Sequence, residues 1–181
     1  MLFSFNVNIT EKDYIDFNMF CILNTPFGKK QLKSFRIINS AILIMGLVAC
    51  LLIAGFTPVG FCSTVLFLCA LAAIQACAPK IMTASVKAQA KKLSRSGKKA
   101  YSPCSVLEFY GETFTETDDE AKTEQKYSSI DRISIIENRI IYIHINDLRA
   151  YLLPLSCFES PGQYAEFVAF IRKKCNKVDV Y

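Results

Sequence analysis

Hydrophobic and polar residues follow three patterns along this chain, and the least periodic is the most telling. Residues 37–79 run 43 positions without one charged side chain. A bilayer core about 30 Å thick needs about 20 apolar residues to be crossed as a helix, so the run is roughly twice one span. It breaks at Gly55-Phe56-Thr57-Pro58-Val59-Gly60, the Gly and Pro punctuation of a tight turn. Two transmembrane helices, about 37–56 and 59–78, are predicted as a hairpin. One unbroken helix would be about 64 Å long, too long to bury in a small domain.

Ahead of the run, Phe3, Phe5 and Val7 alternate with polar residues, which predicts a short strand. Thr10-Glu11-Lys12-Asp13 then resembles a capping box with Asp in place of Glu. Tyr14, Phe17 and Cys21 recur at helical spacing after it, up to Asn24-Thr25-Pro26-Phe27-Gly28, where that helix should end. An ordinary packed helix is preferred over one lying at the headgroup level. Residues 1–36 thus form an N-terminal strand and amphipathic helix. Residues 80–100, rich in Ala, Lys and Ser, read as a basic helical linker that Ser94-Arg95-Ser96-Gly97 should stop.

From residue 101 the period becomes alternating. Strands are predicted at 106–110, 112–117 and 122–130, then around Ile133/Ile135, Ile141/Ile143/Ile145 and Tyr151/Leu153/Leu155. Ser160-Pro161-Gly162-Gln163 carries a full helix-start signal, with Ser as cap, Pro in the first turn and Gln after it. The helix it opens gathers Tyr164, Phe167, Val168, Ile171 and Cys175 on one face, and Arg172, Lys173 and Lys174 oppose its dipole. The fold class is a transmembrane helical hairpin plus a small α+β domain at 101–181, an antiparallel meander capped by a C-terminal helix.

Charge orients this plan. Residues 1–100 carry 12 basic and 3 acidic side chains, and residues 101–181 carry 9 and 13. Lys29, Lys30, Lys33 and Arg36 flank the first span; Lys80, Lys87, Lys91, Lys92, Arg95, Lys98 and Lys99 follow the second. The connecting turn has no charge, so the positive-inside rule places both termini in the cytoplasm, at the inner face of the plasma membrane. This basic cluster sets topology, contacts anionic lipid, or does both. Because the cations gather beside the spans, nucleic acid is not a predicted partner. The start of the chain lacks a basic stretch followed by an apolar run, and the first span is expected to serve as an uncleaved insertion signal.

Candidate chemistry is sparse. Four of the eight cysteines, Cys50, Cys62, Cys69 and Cys77, lie in the apolar run, and the others are far apart without a C-x-x-C pair. Free thiols and no metal site are expected. Gly46/Cys50/Ala54 and Cys69/Ala73/Cys77 each repeat every four residues; either small residues are simply common here or the two ridges face each other. Asn39 and Gln75 are the strongest polar groups in the spans, with no mid-membrane ionisable residue to mark a transport path. His144, between Ile143 and Ile145, should sit on the solvent face of its strand. No nucleophile elbow, phosphate loop or EF-hand spacing occurs, so neither catalytic residues nor a cofactor are assigned.

A meander closed by one amphipathic helix is the plan of a pleckstrin-homology-like domain. The chain carries "ITEKDYIDFNMF" ahead of the apolar run, then "YSSIDRISIIENRIIYIHIN" and "AYLLPLSCFESPGQYAEFVAFIRKKC" after it. With this layout it resembles the YcxB-like family of bacterial membrane proteins across essentially the whole chain, and Asp13-Tyr14, Phe17, Leu153-Pro154 and Phe158 fit that family's short motifs. The family's frequent Trp is missing, for this chain has none. The resemblance implies no catalytic residue or cofactor. The expected function is a membrane-anchored, non-enzymatic protein whose cytoplasmic domain mediates protein contacts or regulation; the alternative is a lipid-responsive or transport-accessory subunit. The partners are the lipid bilayer and another membrane or cytoplasmic protein, and an oligomer is compatible with the sequence. The domain's net negative charge disfavours headgroup binding.

Overall fold

The computed structural model describes residues 1–55, 57–95 and 101–181. They form two compact units, one of Met1–Phe17 with Ala90–Tyr181 and one of Asn18–Gln89. The unit boundaries fall inside helices α1 (Glu11–Asn24) and α3 (Pro58–Arg95).

The first unit is built from two four-stranded sheets. β1 (Phe3–Asn8), β2 (Cys104–Phe109), β3 (Thr113–Thr117) and β4 (Lys122–Lys126) follow one another antiparallel. The second sheet has the order β7 (Ala150–Pro154), β6 (Ile140–His144), β5 (Arg132–Ile136), β8 (Val178–Val180). The predicted alternation falls on these strands, but two features depart from it. The third strand stops at Lys126, and Tyr127–Ser129 turn into a 3-10 helix. There the Tyr127 hydroxyl donates to the Tyr110 carbonyl at 2.7 Å and the Ser129 hydroxyl to that of Lys126 at 2.7 Å. Local side-chain bonds of this kind compete with the ladder. Also unforeseen is β8, which pairs parallel with β5, Ile133 opposite Val178.

Inward rows from both sheets meet in one core. Phe5, Leu107, Phe109 and Phe114 come from the first sheet, Ile133, Ile141, Ile143 and Leu153 from the second. Helix α4 (Pro161–Lys174) lays Phe167 and Ile171 onto them, both without exposed surface. The Phe167 ring lies 4.9 Å from that of Phe109 and 5.1 Å from that of Phe5. The start of α4 is as its sequence predicts: the Ser160 hydroxyl accepts from the Gln163 amide at 3.2 Å, while the Gln163 side chain accepts from the Glu159 amide at 2.8 Å. At α1, the Asp13 carboxylate accepts from the Thr10 amide at 3.0 Å and the Thr10 hydroxyl accepts from the Asp13 amide at 3.2 Å, closing the capping box.

In the second unit, Thr25 caps a fresh helix, α2 (Pro26–Ala54), only one residue after α1 ends. Its hydroxyl accepts from the Gly28 amide at 3.0 Å and donates to the Cys21 carbonyl at 2.8 Å. A Cβ at Gly28 would lie 2.0 Å from that carbonyl, so only glycine fits the close approach. The expected spans are therefore extended: α2 starts at Pro26 and α3 continues past Pro79 to Arg95. At 29 and 38 residues, the helices run about 44 and 57 Å, beyond a bilayer core of about 30 Å. Gly55 ends α2 at φ 61°, the left-handed conformation that favours glycine. Phe56 and the expected stop at Ser96-Gly97 lie outside the described residues.

The two helices run side by side. The Gln75 amide donates to the Ser40 hydroxyl across them at 2.8 Å, and a Cβ at Gly46 would meet the Phe67 ring at 3.0 Å. Asn39 bonds back to the Phe35 carbonyl at 2.8 Å. The facing-ridge reading is corrected: Cys69, Ala73 and Cys77 are exposed, and it is Phe67 that meets Gly46. The larger ring fills more of the gap left by Gly46 than a cysteine or alanine would.

Candidate functional site

The described residues of the basic cluster lie on α2 and α3. Lys29, Lys30 and Lys33 are exposed on the first turns of α2, with Arg36 half-buried; Lys80 and Lys87 are exposed further along α3, and so are Lys91, Lys92 and Arg95 near its end. Lys98 and Lys99 are outside the described residues. Cations at a helix N-terminus oppose the macrodipole, so Lys29 and Lys30 do not serve the helix itself.

His144 is not on a solvent face. All five residues of β6 are buried, since β6 is central in its sheet and α1 covers the side away from the core. The Phe17 ring lies 5.2 Å from Tyr142 and 5.9 Å from His144, and Asp16 pairs with Arg139. His144 Nε2 and the Ser134 hydroxyl are 3.1 Å apart, both fully buried. Burial, then the charge of Arg132, pushes the imidazole from its ordinary 6.5 down to about 4, against the pull of Asp131 and Asp147. A neutral histidine sealed from solvent is an architectural hydrogen-bonding group, with no path to a substrate.

A site the sequence did not single out occurs where the open ends of the two sheets meet α1. Inward faces run in pairs across β1, β2 and β3: Phe5 opposite Leu107, Phe109 opposite Phe114, and Leu107 opposite Glu116. Glu116 thus occupies a core-facing position two residues beyond the buried Phe114. Just before β7, Arg149 stands two residues ahead of Tyr151, against whose ring it rests. Around these two groups lies a cavity of about 230 Å³, walled also by Tyr14, Tyr101 and Phe17. Tyr14 and Tyr101 stack at 5.2 Å between centroids. The Arg149 guanidinium lies 5.7 Å from the Tyr151 ring centre, and among the described residues it makes no ion pair with Glu116.

Two lining groups are shifted by their surroundings. Burial, then the negative charge of Asp118, pushes the Glu116 carboxyl up, opposed by Arg149 and by a hydrogen bond with Ser105. Burial and the carboxylates of Glu11 and Asp13 push the Tyr101 phenol up as well. The alternation at Phe114/Glu116 was the available signal, a carboxylate in phase with a core aromatic. The other walls come from three distant segments, which no local pattern joins. Among the described residues no group of three or more His, Cys, Asp or Glu could hold a metal.

Residues 109–171 match the family model described as YcxB-like protein, the family the sequence motifs resemble. The match runs from the end of β2 into α4 and includes Glu116, Arg149 and Tyr151, whereas Tyr14 and Tyr101 lie outside it. No curated protein matches the chain, and no solved structure does.

Proposed function

We propose that this is a membrane-anchored, non-enzymatic protein. Its α2–α3 hairpin crosses the plasma membrane with both termini in the cytoplasm, and its β domain, pleckstrin-homology-like in plan, mediates protein contacts or regulation. The carrying observation is the surface of the two apolar helices. Their most apolar stretches have mean hydropathies of 2.3 and 2.1 and are 0% and 6% buried. Leu52 and Ile53 are 82% and 89% exposed. Apolar surface on this scale requires lipid or a partner, and the cationic flanks with an uncharged turn favour cytoplasmic ends. In the β domain, the corner cavity offers polar and aromatic groups that the chain's own side chains leave accessible.

Reporter fusions at each terminus test topology: both should be active only in the cytoplasm, and an extracytoplasmic signal at either end overturns it. For the contact role, a specific protein should co-purify with the full chain in mild detergent. It should be lost from variants that alter the β domain's surface without lowering its melting temperature. A second reading, a lipid-responsive or transport-accessory subunit, is favoured by exposed Lys29, Lys30 and Lys33 near the start of α2, the first two opposing its dipole. Replacing these three by Gln should then remove the response to anionic vesicles while insertion is retained.

A further inference from the structure

We infer that the corner cavity receives one cationic side chain, lysine or arginine, from a partner polypeptide; this deepens the protein-contact reading and rests on it. Size limits the ligand first. About 230 Å³ lies below the roughly 300–1,000 Å³ of sites for drug-sized molecules and cofactors, and suits one extended side chain.

The chemistry of the walls selects its sign. Glu116 projects inward from β3 at a position its neighbours fill with Leu107 and Phe114, and it has no ion-pair partner among the described residues. A half-buried carboxylate bonded to Ser105 and without an ion pair among the described residues is a costly arrangement until a cation arrives. Tyr14, Tyr101 and Tyr151 present aromatic rings, whose faces attract ammonium and guanidinium groups. Glu116 and Arg149 are the charged residues of the lining, and the carboxylates of Glu11 and Asp13 near Tyr101 and of Asp118 near Glu116 add negative charge outside it. Arg149 resting against Tyr151 shows that this wall accommodates a guanidinium. Leu148, 68% exposed in the turn before β7, gives the rim an apolar contact for the partner's backbone or a flanking side chain.

Calorimetric titration of the full chain in detergent tests this, with the capped tripeptides Gly-Lys-Gly, Gly-Arg-Gly, Gly-acetyllysine-Gly and Gly-Glu-Gly. The lysine and arginine peptides should bind, and the acetylated and glutamate peptides should not. Glu116→Gln should weaken binding about tenfold or more, the scale of one charged hydrogen bond. Its melting temperature should stay the same or rise, because a half-buried charge without an ion-pair partner is removed. If Glu116→Gln does not fold, Tyr101→Ala at the rim replaces it, with weaker binding expected. Arg149→Gln should tighten binding by removing the competing cation, and acidification should weaken it as Glu116 protonates. Binding of the glutamate peptide, equal binding of the acetylated peptide, weaker binding by Arg149→Gln, or an unchanged affinity in Glu116→Gln would each overturn the inference. A partner that co-purifies equally with wild type and Glu116→Gln sinks the cavity assignment and keeps the contact role. Peptide binding without any co-purifying protein does the reverse.

Discussion

The imidazole of His144 has no exposed surface, and burial with the nearby Arg132 keeps it neutral down to about pH 4. An unfolded chain protonates the same ring near 6.5. Between those values the unfolded state binds a proton that the folded state refuses, so stability is full above pH 6.5 and falls as pH drops through this window. The loss by pH 4 is on the order of 3 kcal/mol, with Asp131 and Asp147 moderating it. Melting curves in detergent from pH 7 to 4 should show the decline, and His144→Phe should flatten that part of it. An unchanged slope in the variant would assign the acid sensitivity elsewhere. The strand parity of His144 is legible from Ile143-His144-Ile145. What covers the ring is not, because Phe17 is more than a hundred positions away and belongs to a helix whose apolar face has no address written in its spacing. Glu116 is the converse: its phase with Phe114 is legible locally, while the tyrosines that give the phase meaning arrive from elsewhere.

Elements set by short-range chemistry were the readable ones. Thr10/Asp13 and Ser160/Gln163 start helices because their hydroxyls bond to amides three residues on, a pattern contained within a single turn. The strands of the meander carry a period of two that follows from burying one face. By contrast, β8 takes its place through backbone bonds to β5, and a three-residue strand is too short to show a period. The extension of α2 back to Pro26 also depends on contact more than on pattern. Gly28 lets the start of α2 approach the end of α1, with only 2.0 Å between a built Cβ and the Cys21 carbonyl. Gly28→Ala should therefore destabilise the full chain by about 1–3 kcal/mol, since backbone must shift. Gly46→Ala meets only the edge of the Phe67 ring at 3.0 Å and should cost less, because a side chain can rotate away. Paired thermal melts in detergent rank the two; a milder effect at Gly28 than at Gly46 would contradict the close-packed junction.

On the scale of the whole chain, the β domain is assembled from both sides of the hairpin. β1 pairs with β2 along its full length, from Phe3 opposite Phe109 to Asn8 opposite Cys104, with α1, α2 and α3 intervening in sequence. Phe5 and Val7, 1% and 2% exposed, are core residues supplied by that strand. Each such side chain contributes about 1.5–3 kcal/mol by burial, so their joint loss rivals a typical domain stability of about 5–15 kcal/mol. Removing β1 would also leave β2 as an uncovered edge, open to pairing with other chains. The domain therefore closes only after the helices have been made, a non-local pairing that slows folding. A fragment of residues 101–181 should consequently lack a cooperative melt and tend to aggregate. Residues 1–18 joined by a short flexible linker to 101–181 should restore both the melt and a dispersed amide spectrum, because Tyr14 already stacks on Tyr101 and the segment returns Phe17 to its place over β6. Calorimetry and amide spectra of the two soluble fragments decide the matter. A shorter piece that melts as cooperatively as the joined one would mean that β1 decorates a domain already complete without it.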